Sequence, residues 1–577
     1  MLRGPHRVVI EGVVVTRAAT RTGFVCAMVA VLSLSIAPVS SGGAGHPPDR
    51  PNGPAAQPIS WGTCPTDPSV DPEFSDPAVQ CGSLTVPLDY DRPRSGTIGV
   101  ALTRVPATNP DRRIGTVFVN PGGPGGSGTE MVRYGFGSYL GELLGGRYDV
   151  VGFDPRGVGG TAPIKCFADN DAAAEFLNDQ PWFPYEGAQY RAFYDLWWDY
   201  GRRCSASGQP IVAHMSTADV TRDLDRLRAA VGDRRLNYLG FSYGSYIGTT
   251  YANLFGRNVG RVVIDGVLDP RLFASGRQIE SDRVSTQMVL QEFLRLCDEA
   301  GDECPFHTPE GAASRWERLA KAIREQPVEL EDGQPVSYDS LIGVTTSALY
   351  APEVWSGEGG FAFLLDQVAD LALAEGDVEA SAVADGRQAL LARLGAAGGE
   401  PEQPYYFNGL DAFFGNHCAD AEYPKSYQQW RAGDRFAAAG SRFGPAWWWG
   451  VAGCAAWPVN QDRYTGPWST RTANPVLIVG NRFDPATDYA GAQASARLLR
   501  TSRLLTYEGW GHTAFGRSAC VTDAVVGYLV DGTLPAPGAR CAANPNPFLL
   551  TSARLSARSA GPQVGLPPTW PVLAGAR

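Results

Sequence analysis

The stretch that most constrains this chain is Gly240-Phe241-Ser242-Tyr243-Gly244. It lies between residues 236–239, rich in strand-forming side chains, and residues 245–254, which read as a helix. A serine with glycine two positions away on each side, set between a strand and a helix, marks a sharp turn that lifts the hydroxyl above a sheet edge. The glycines matter because the turn presses backbone against backbone, where a Cβ would collide. A five-residue pattern recurs by chance, so its surroundings decide its meaning.

Those surroundings alternate strand and helix. Residues 81–90 and 97–106, separated by an Asp-Arg-Pro-Arg-Ser-Gly turn, read as an opening hairpin. Residues 115–120 and 148–153 are short apolar runs of the kind buried on both faces. The first runs into Pro121-Gly122-Gly123-Pro124-Gly125-Gly126-Ser127-Gly128, the second into Asp154-Pro155-Arg156-Gly157. Val220, Leu224, Leu227 and Val231 share one face of a helix over 217–231, which Ser216 or Thr217 caps and Gly232 ends. A strand over 261–265 follows. This order predicts an α/β fold, a mostly parallel sheet with helices on both faces.

From about Pro270 to Thr472 the rhythm changes to helices, over 284–299, 312–325, 360–374 and 386–394, with an aromatic run at Trp447-Trp448-Trp449. The sheet pattern resumes at 475–479 and 502–507, and a helix follows over 519–529. A large helical cap is therefore expected between the strand ending near Asp265 and the strand starting near Pro475. The expected divisions are core over 61–270, cap over 271–472, core again over 473–535, and a strap or tail over 536–577.

Residues 1–41 carry four arginines against one glutamate, then an apolar run over 24–39 and small residues, the pattern of an export signal. Residues 42–60, rich in Pro, Gly and Ala, read as a disordered leader. No other stretch has the length to span a membrane. The net charge of −11 becomes more negative without the basic leader, which disfavours nucleic acid or an anionic membrane as partner. Outside Cys26, ten cysteines fall in sequence-near couples, and an exported chain would join them as disulfides. The expected pairs are Cys64–Cys81, Cys166–Cys204, Cys297–Cys304, Cys418–Cys454 and Cys520–Cys541, although spacing does not fix connectivity. With no C-x-x-C and scattered histidines, neither a metal nor another cofactor is expected.

A serine nucleophile needs a base, an acid to orient it, and donors for the oxyanion. Of six histidines, His512 in Gly509-Trp510-Gly511-His512-Thr513 directly follows the last expected strand, and His417 beside Cys418 reads as structural. Asp484 follows the preceding strand, with Asp488 as the fallback. The order Ser242, Asp484, His512 is that of an α/β-hydrolase. The glycine loop lacks the G-K-[ST] ending of a phosphate cradle and suits an oxyanion hole, made by the N–H of Gly123 (or Gly122) with that of Tyr243. Asp154 and Arg156 read as a structural turn or an internal ion pair.

Together, Pro121–Gly125, Asp154–Gly157, Gly240–Gly244, Asp484-Pro485-Ala486-Thr487 and Gly511-His512 resemble the prolyl-iminopeptidase-type α/β-hydrolases, and most closely their secreted tripeptidyl aminopeptidase branch. The resemblance spans about 60–535. It departs at Asn120-Pro121, where relatives often have His-Gly, and at Thr513, where Gly is frequent. It implies an exported, cofactor-free serine exopeptidase, a monomer, that removes residues or tripeptides from peptides with free N-termini. It also implies cap carboxylates that hold the substrate ammonium, for which Asp420 and Glu422 are the candidates. A carboxylester hydrolase or lipase on the same scaffold, and a non-catalytic exported binding protein, are the rival readings.

Overall fold

A computed structural model describes residues 58–550 except 66–77, 178–179, 331–334, 376–378, 394–405, 407, 459 and 461. The expected export signal and nearly all of the expected leader lie outside the described residues.

Ten strands form one sheet. In chain order they are β1 (Gly62–Thr63), β2 (Gln80–Pro87), β3 (Thr97–Val105), β4 (Gly115–Asn120), β5 (Tyr148–Phe153), β6 (Leu236–Phe241), β7 (Val259–Asp265), β8 (Val476–Phe483), β9 (Ser502–Trp510) and β10 (Arg540–Cys541). Across the sheet the order is β1-β2-β3-β5-β4-β6-β7-β8-β9-β10. The first three strands and their junction with β5 are antiparallel, and every later pairing is parallel. The fold is that of an α/β-hydrolase.

Alternation along the central strands feeds two apolar layers. Phe118, Tyr238 and Ile264 point to the face covered by helices Thr217–Ala230 and Tyr243–Leu254, where Leu224 and Ile247 complete the packing. Val117, Leu239 and Val263 point to the other face, against Val525 and Leu529 of helix Ala519–Asp531. The parallel register places the C-terminal ends of β6, β7 and β8 side by side, with Phe241 opposite Asp265 and Asp265 opposite Val479. Loops leaving those ends meet at one edge, where ligands bind in open α/β sheets.

A third core lies in the helical cap, around Trp316, Trp355, Trp430, Trp449 and Trp457. Residues 158–215 also contribute to it, through Ile164, Trp197, Tyr200 and Met215. Helix Gln189–Ser205 packs in the cap, with the Trp197 ring 5.2 Å from that of Phe414. The stretch expected as continuous core over 61–270 thus supplies a second cap segment. Past Pro535 the chain is also more than a tail. Its β10 extends the sheet, and Phe548 meets Phe293 edge to face with ring centroids 5.6 Å apart.

All five expected cysteine couples are disulfides. Among the described residues no helix is long and apolar enough to cross a membrane.

Candidate active site

Ser242 sits at the junction of β6 and helix Tyr243–Leu254 with φ 55° and ψ −120°. That conformation costs a non-glycine residue about 1–3 kcal/mol and persists only where the surroundings enforce it. They do so by contact. A Cβ on Gly240 would meet Gly244 O at 2.5 Å, and one on Gly244 would meet Asn120 O at 2.9 Å. Ser242 N–H donates to Asp265 O (2.9 Å), tying the turn to β7.

Asp484 follows β8 and is fully buried. Its Oδ1 accepts the N–H groups of Ala486 (2.9 Å) and Thr487 (2.8 Å), and its Oδ2 accepts the Thr487 hydroxyl (2.8 Å). His512 Nδ1 lies 3.0 and 3.1 Å from the two oxygens. Burial pushes this carboxyl upward. The His512 imidazole and the donated N–H bonds outweigh that and hold it below the usual range. Asp488 instead accepts from Ala490 N–H at the start of helix Tyr489–Leu498.

The histidine loop is anchored from several sides. His512 N–H donates to Tyr350 O (2.9 Å) from the cap, and Asn481 Nδ2 donates to Gly511 O (2.8 Å). Asp265, a residue no motif singles out, accepts the N–H groups of Ala514 (3.0 Å) and Phe515 (2.8 Å). Thr513 adopts φ 65°, so threonine occupies a left-handed position that glycine fills without strain. His512 Nε2 is buried with no hydrogen-bond partner among the described residues, Ser242 included.

The glycine loop after β4 reaches the elbow. A Cβ on Gly122 would stand 2.9 Å from both Ser242 Cβ and Tyr243 N. Gly122 N–H is committed to Asn120 Oδ1 (3.0 Å). The N–H of Tyr243, first in its helix, has no intrahelical acceptor. Asp154 braces the far end of the loop through Ser127 Oγ (2.7 Å) and Thr129 N–H (3.1 Å). Arg156 is buried in an ion pair with Asp223 at 2.6 Å.

Ser242, Gly123 and Pro124 open onto a cavity of about 80 Å³ walled by Phe273, Phe413, Tyr423, Trp447 and Trp448 of the cap. Asp282, on helix Ile279–Ala300, is its acidic wall residue. Its Oδ1 accepts from Gln278 Nε2 at 2.8 Å. Burial raises this carboxyl well above its ordinary range, and the charges of Asp488 and Asp484 add to the effect. His417 also lines the cavity, its Nε2 2.5 Å from Tyr423 OH, and burial lowers it to about 4, so its imidazole is neutral.

Neither expected ammonium holder is in this wall. Glu422 is exposed and pairs with Arg463 at 3.1 Å. Asp420 is fully buried behind the elbow, its Oδ1 accepting Thr217 N–H (2.8 Å) and its Oδ2 the Thr217 hydroxyl (2.5 Å). Nearness to Cys418 in sequence said nothing about which way these side chains face. Asp282 carried no sequence signal, because it lies outside every motif and just before the helix expected over 284–299, which the structure starts at Ile279.

Burial raises Asp420 to about 7, against the bonds from Thr217 and Tyr243. The folded protein therefore holds a proton that the unfolded chain releases from about pH 4 upward. Stability present in acid is lost as the pH rises toward 7 and stays lost above it. An Asp420→Asn variant is uncharged at every pH and keeps an acceptor for Thr217 N–H. It should match the parent near pH 4 and exceed it at pH 8 by about 2–4 kcal/mol. Melting curves across that range check this, and a difference independent of pH would refute it.

Two family models match the chain: "alpha/beta hydrolase fold" over residues 115–303 and "TAP-like protein" over 439–541. Tripeptidyl aminopeptidase of Streptomyces lividans is 32% identical over 503 residues, covering 85% of this chain and 87% of the relative. Serine protease Hip1 of Mycobacterium tuberculosis is 31% identical over 504 residues, covering 84% and 91%. Carboxylesterase B of the same species is 31% identical over 515 residues, covering 87% and 92%. The chain belongs to the α/β-hydrolase family, in the branch whose C-terminal region is TAP-like. It is a hydrolase.

Proposed function

We propose that the protein is an exported serine aminopeptidase that releases N-terminal residues or short peptides from free N-termini. Ser242 is the nucleophile, His512 the base and Asp484 the acid that fixes its tautomer. Ser242 Oγ attacks the scissile carbonyl while His512 Nε2 takes its proton. The N–H groups of Gly123 and Tyr243 receive the oxyanion, because Gly122 N–H is already engaged by Asn120. His512 then protonates the leaving amine, and water activated at the same nitrogen frees the acyl group. The Ser242–His512 hydrogen bond tightens only when substrate is seated, as is common at such sites. Export rests on the N-terminal signal pattern together with the five disulfides.

The observation that carries the choice of an amine-bearing substrate is Asp282. A carboxyl in an aromatic wall is poorly solvated, and an ammonium is the partner that restores its charge. Aromatic faces around it add to the attraction for a cation.

Peptides with free and acetylated N-termini, compared with simple esters, test this reading. Free peptides should be preferred. Asp282→Asn should raise KM for them about 10–100-fold while leaving ester turnover nearly unchanged. Binding of the ammonium draws the proton off Asp282, so KM for free peptides should also rise as the pH falls. Equal cleavage of blocked peptides would sink the aminopeptidase reading, and turnover of esters alone would favour the carboxylesterase one.

A further inference from the structure

Behind the elbow, away from the cavity, three side chains converge from distant parts of the chain. His214 follows the short 3-10 turn Pro210–Ala213, Asp219 lies in the first turn of helix Thr217–Ala230, and Asp462 belongs to the segment running from the cap toward β8. One ligand atom from each falls within 4.8 Å of the other two. Asp219 is 1% exposed, and its Oδ2 has no hydrogen-bond partner among the described residues. His214 Nδ1 is likewise buried and without a partner. Buried polar atoms without a hydrogen-bond partner, on two side chains that converge, are costly unless something is bound there.

The neighbouring cations do not fill that role. Arg222 holds the other oxygen of Asp219, Oδ1, at 2.8 Å. Arg156 stands 4.0 Å from Oδ2, while Asp223 engages its guanidinium at 2.6 and 2.8 Å. Asp89, the other carboxylate near His214, is paired with Arg92.

We propose that His214, Asp219 and Asp462 bind a divalent first-row cation of the Zn²⁺ type. One imidazole nitrogen and two carboxylate oxygens suit Zn²⁺ or Mn²⁺ better than Ca²⁺, which takes six or more oxygens. Water completes the coordination. The ion ties the segment carrying Asp462 to the helix whose Thr217 hydroxyl contacts Tyr243 and Asp420. It braces the cap's exit against the back of the elbow and takes no part in the chemistry at Ser242. The histidine and the distal aspartate are some 250 positions apart in sequence, which is why no metal-ligand spacing shows.

The test is calorimetric titration of the chelator-treated, full-length protein with Zn²⁺, beside Mn²⁺ and Ca²⁺, together with melting curves. One Zn²⁺ per chain should bind, with a rise of a few degrees in Tm at saturating metal. Asp462→Asn and His214→Gln should each weaken binding at least tenfold and remove the rise. His512→Gln, which removes the imidazole bonded to Asp484, should leave both unchanged. Absence of saturable binding below millimolar Zn²⁺, unchanged affinity in Asp462→Asn and His214→Gln, or loss of binding in His512→Gln would each overturn the proposal.

Discussion

Ser242→Ala should lower kcat by about 10⁴–10⁶-fold and abolish labelling by a fluorophosphonate probe that modifies the parent. The oxygen it removes belongs to a serine that lines the aromatic cavity. Among the described residues of the site neither His512, held by Asp484, nor the Thr487 hydroxyl, bonded to the same carboxylate, replaces it. The fold should survive. Alanine has a Cβ like serine and stays in the same strained conformation at φ 55°. Ser242→Gly separates strain from chemistry. It should be as inactive as the alanine variant yet more stable by about 1 kcal/mol, the relief of strain exceeding the added entropy of glycine in the unfolded chain. Retained labelling in Ser242→Ala would move the nucleophile elsewhere. No labelling of the parent at all would favour a non-catalytic binding protein.

Much of the sheet is legible in the sequence because its central strands are continuous apolar runs. Val117-Phe118-Val119 and Val150-Val151 are buried whichever face they meet, so no knowledge of their partners is needed. The elbow is legible for a related reason, since its glycines answer to contacts within a few residues. The cap is a different case. Helix Gln189–Ser205 mixes aromatic residues with Arg191, Asp195, Asp199 and Arg203, which pair along its exposed side. Its buried side is defined by Phe414 and Trp449, more than two hundred positions later. Local pattern carries no trace of such a partner. Asp282 and Asp420 make the same point for the site. Both are acids in helices, and only the three-dimensional packing shows that one faces the cavity and the other the back of the elbow. Thr513 shows that a single departure from a family pattern has a backbone consequence, because the position it fills has a positive φ.

Asp484→Asn should lower kcat by about 10⁴-fold with little change in KM. A carboxylate accepts the proton on His512 Nδ1 and so keeps Nε2 as the acceptor for the serine proton. An amide nitrogen in its place donates toward Nδ1, favours the other tautomer and leaves Nε2 protonated. The remaining partners resist turning the amide over. Ala486 and Thr487 both donate N–H groups to Oδ1, while the Thr487 hydroxyl and Thr513 N–H donate to Oδ2. The two N–H groups keep the amide oxygen at the Oδ1 position and put its NH2 at the Oδ2 position, 3.1 Å from His512 Nδ1. The same substitution has a signed effect on stability. The carboxyl is held below its ordinary value in the folded state, so its contribution is complete above the unfolded value and disappears as the pH falls through the folded one. The stability gap between parent and Asp484→Asn should therefore be widest at neutral pH and close in acid, below about pH 4. Asp265 is the rival acid, buried nearby at the end of β7 and raised by burial to about 6. Its oxygens bond the backbone N–H groups of Ala514 and Phe515, whereas those of Asp484 lie within 3.1 Å of His512 Nδ1. Asp265→Asn should accordingly cost far less activity than Asp484→Asn, and the reverse ranking would transfer the acid's role to Asp265.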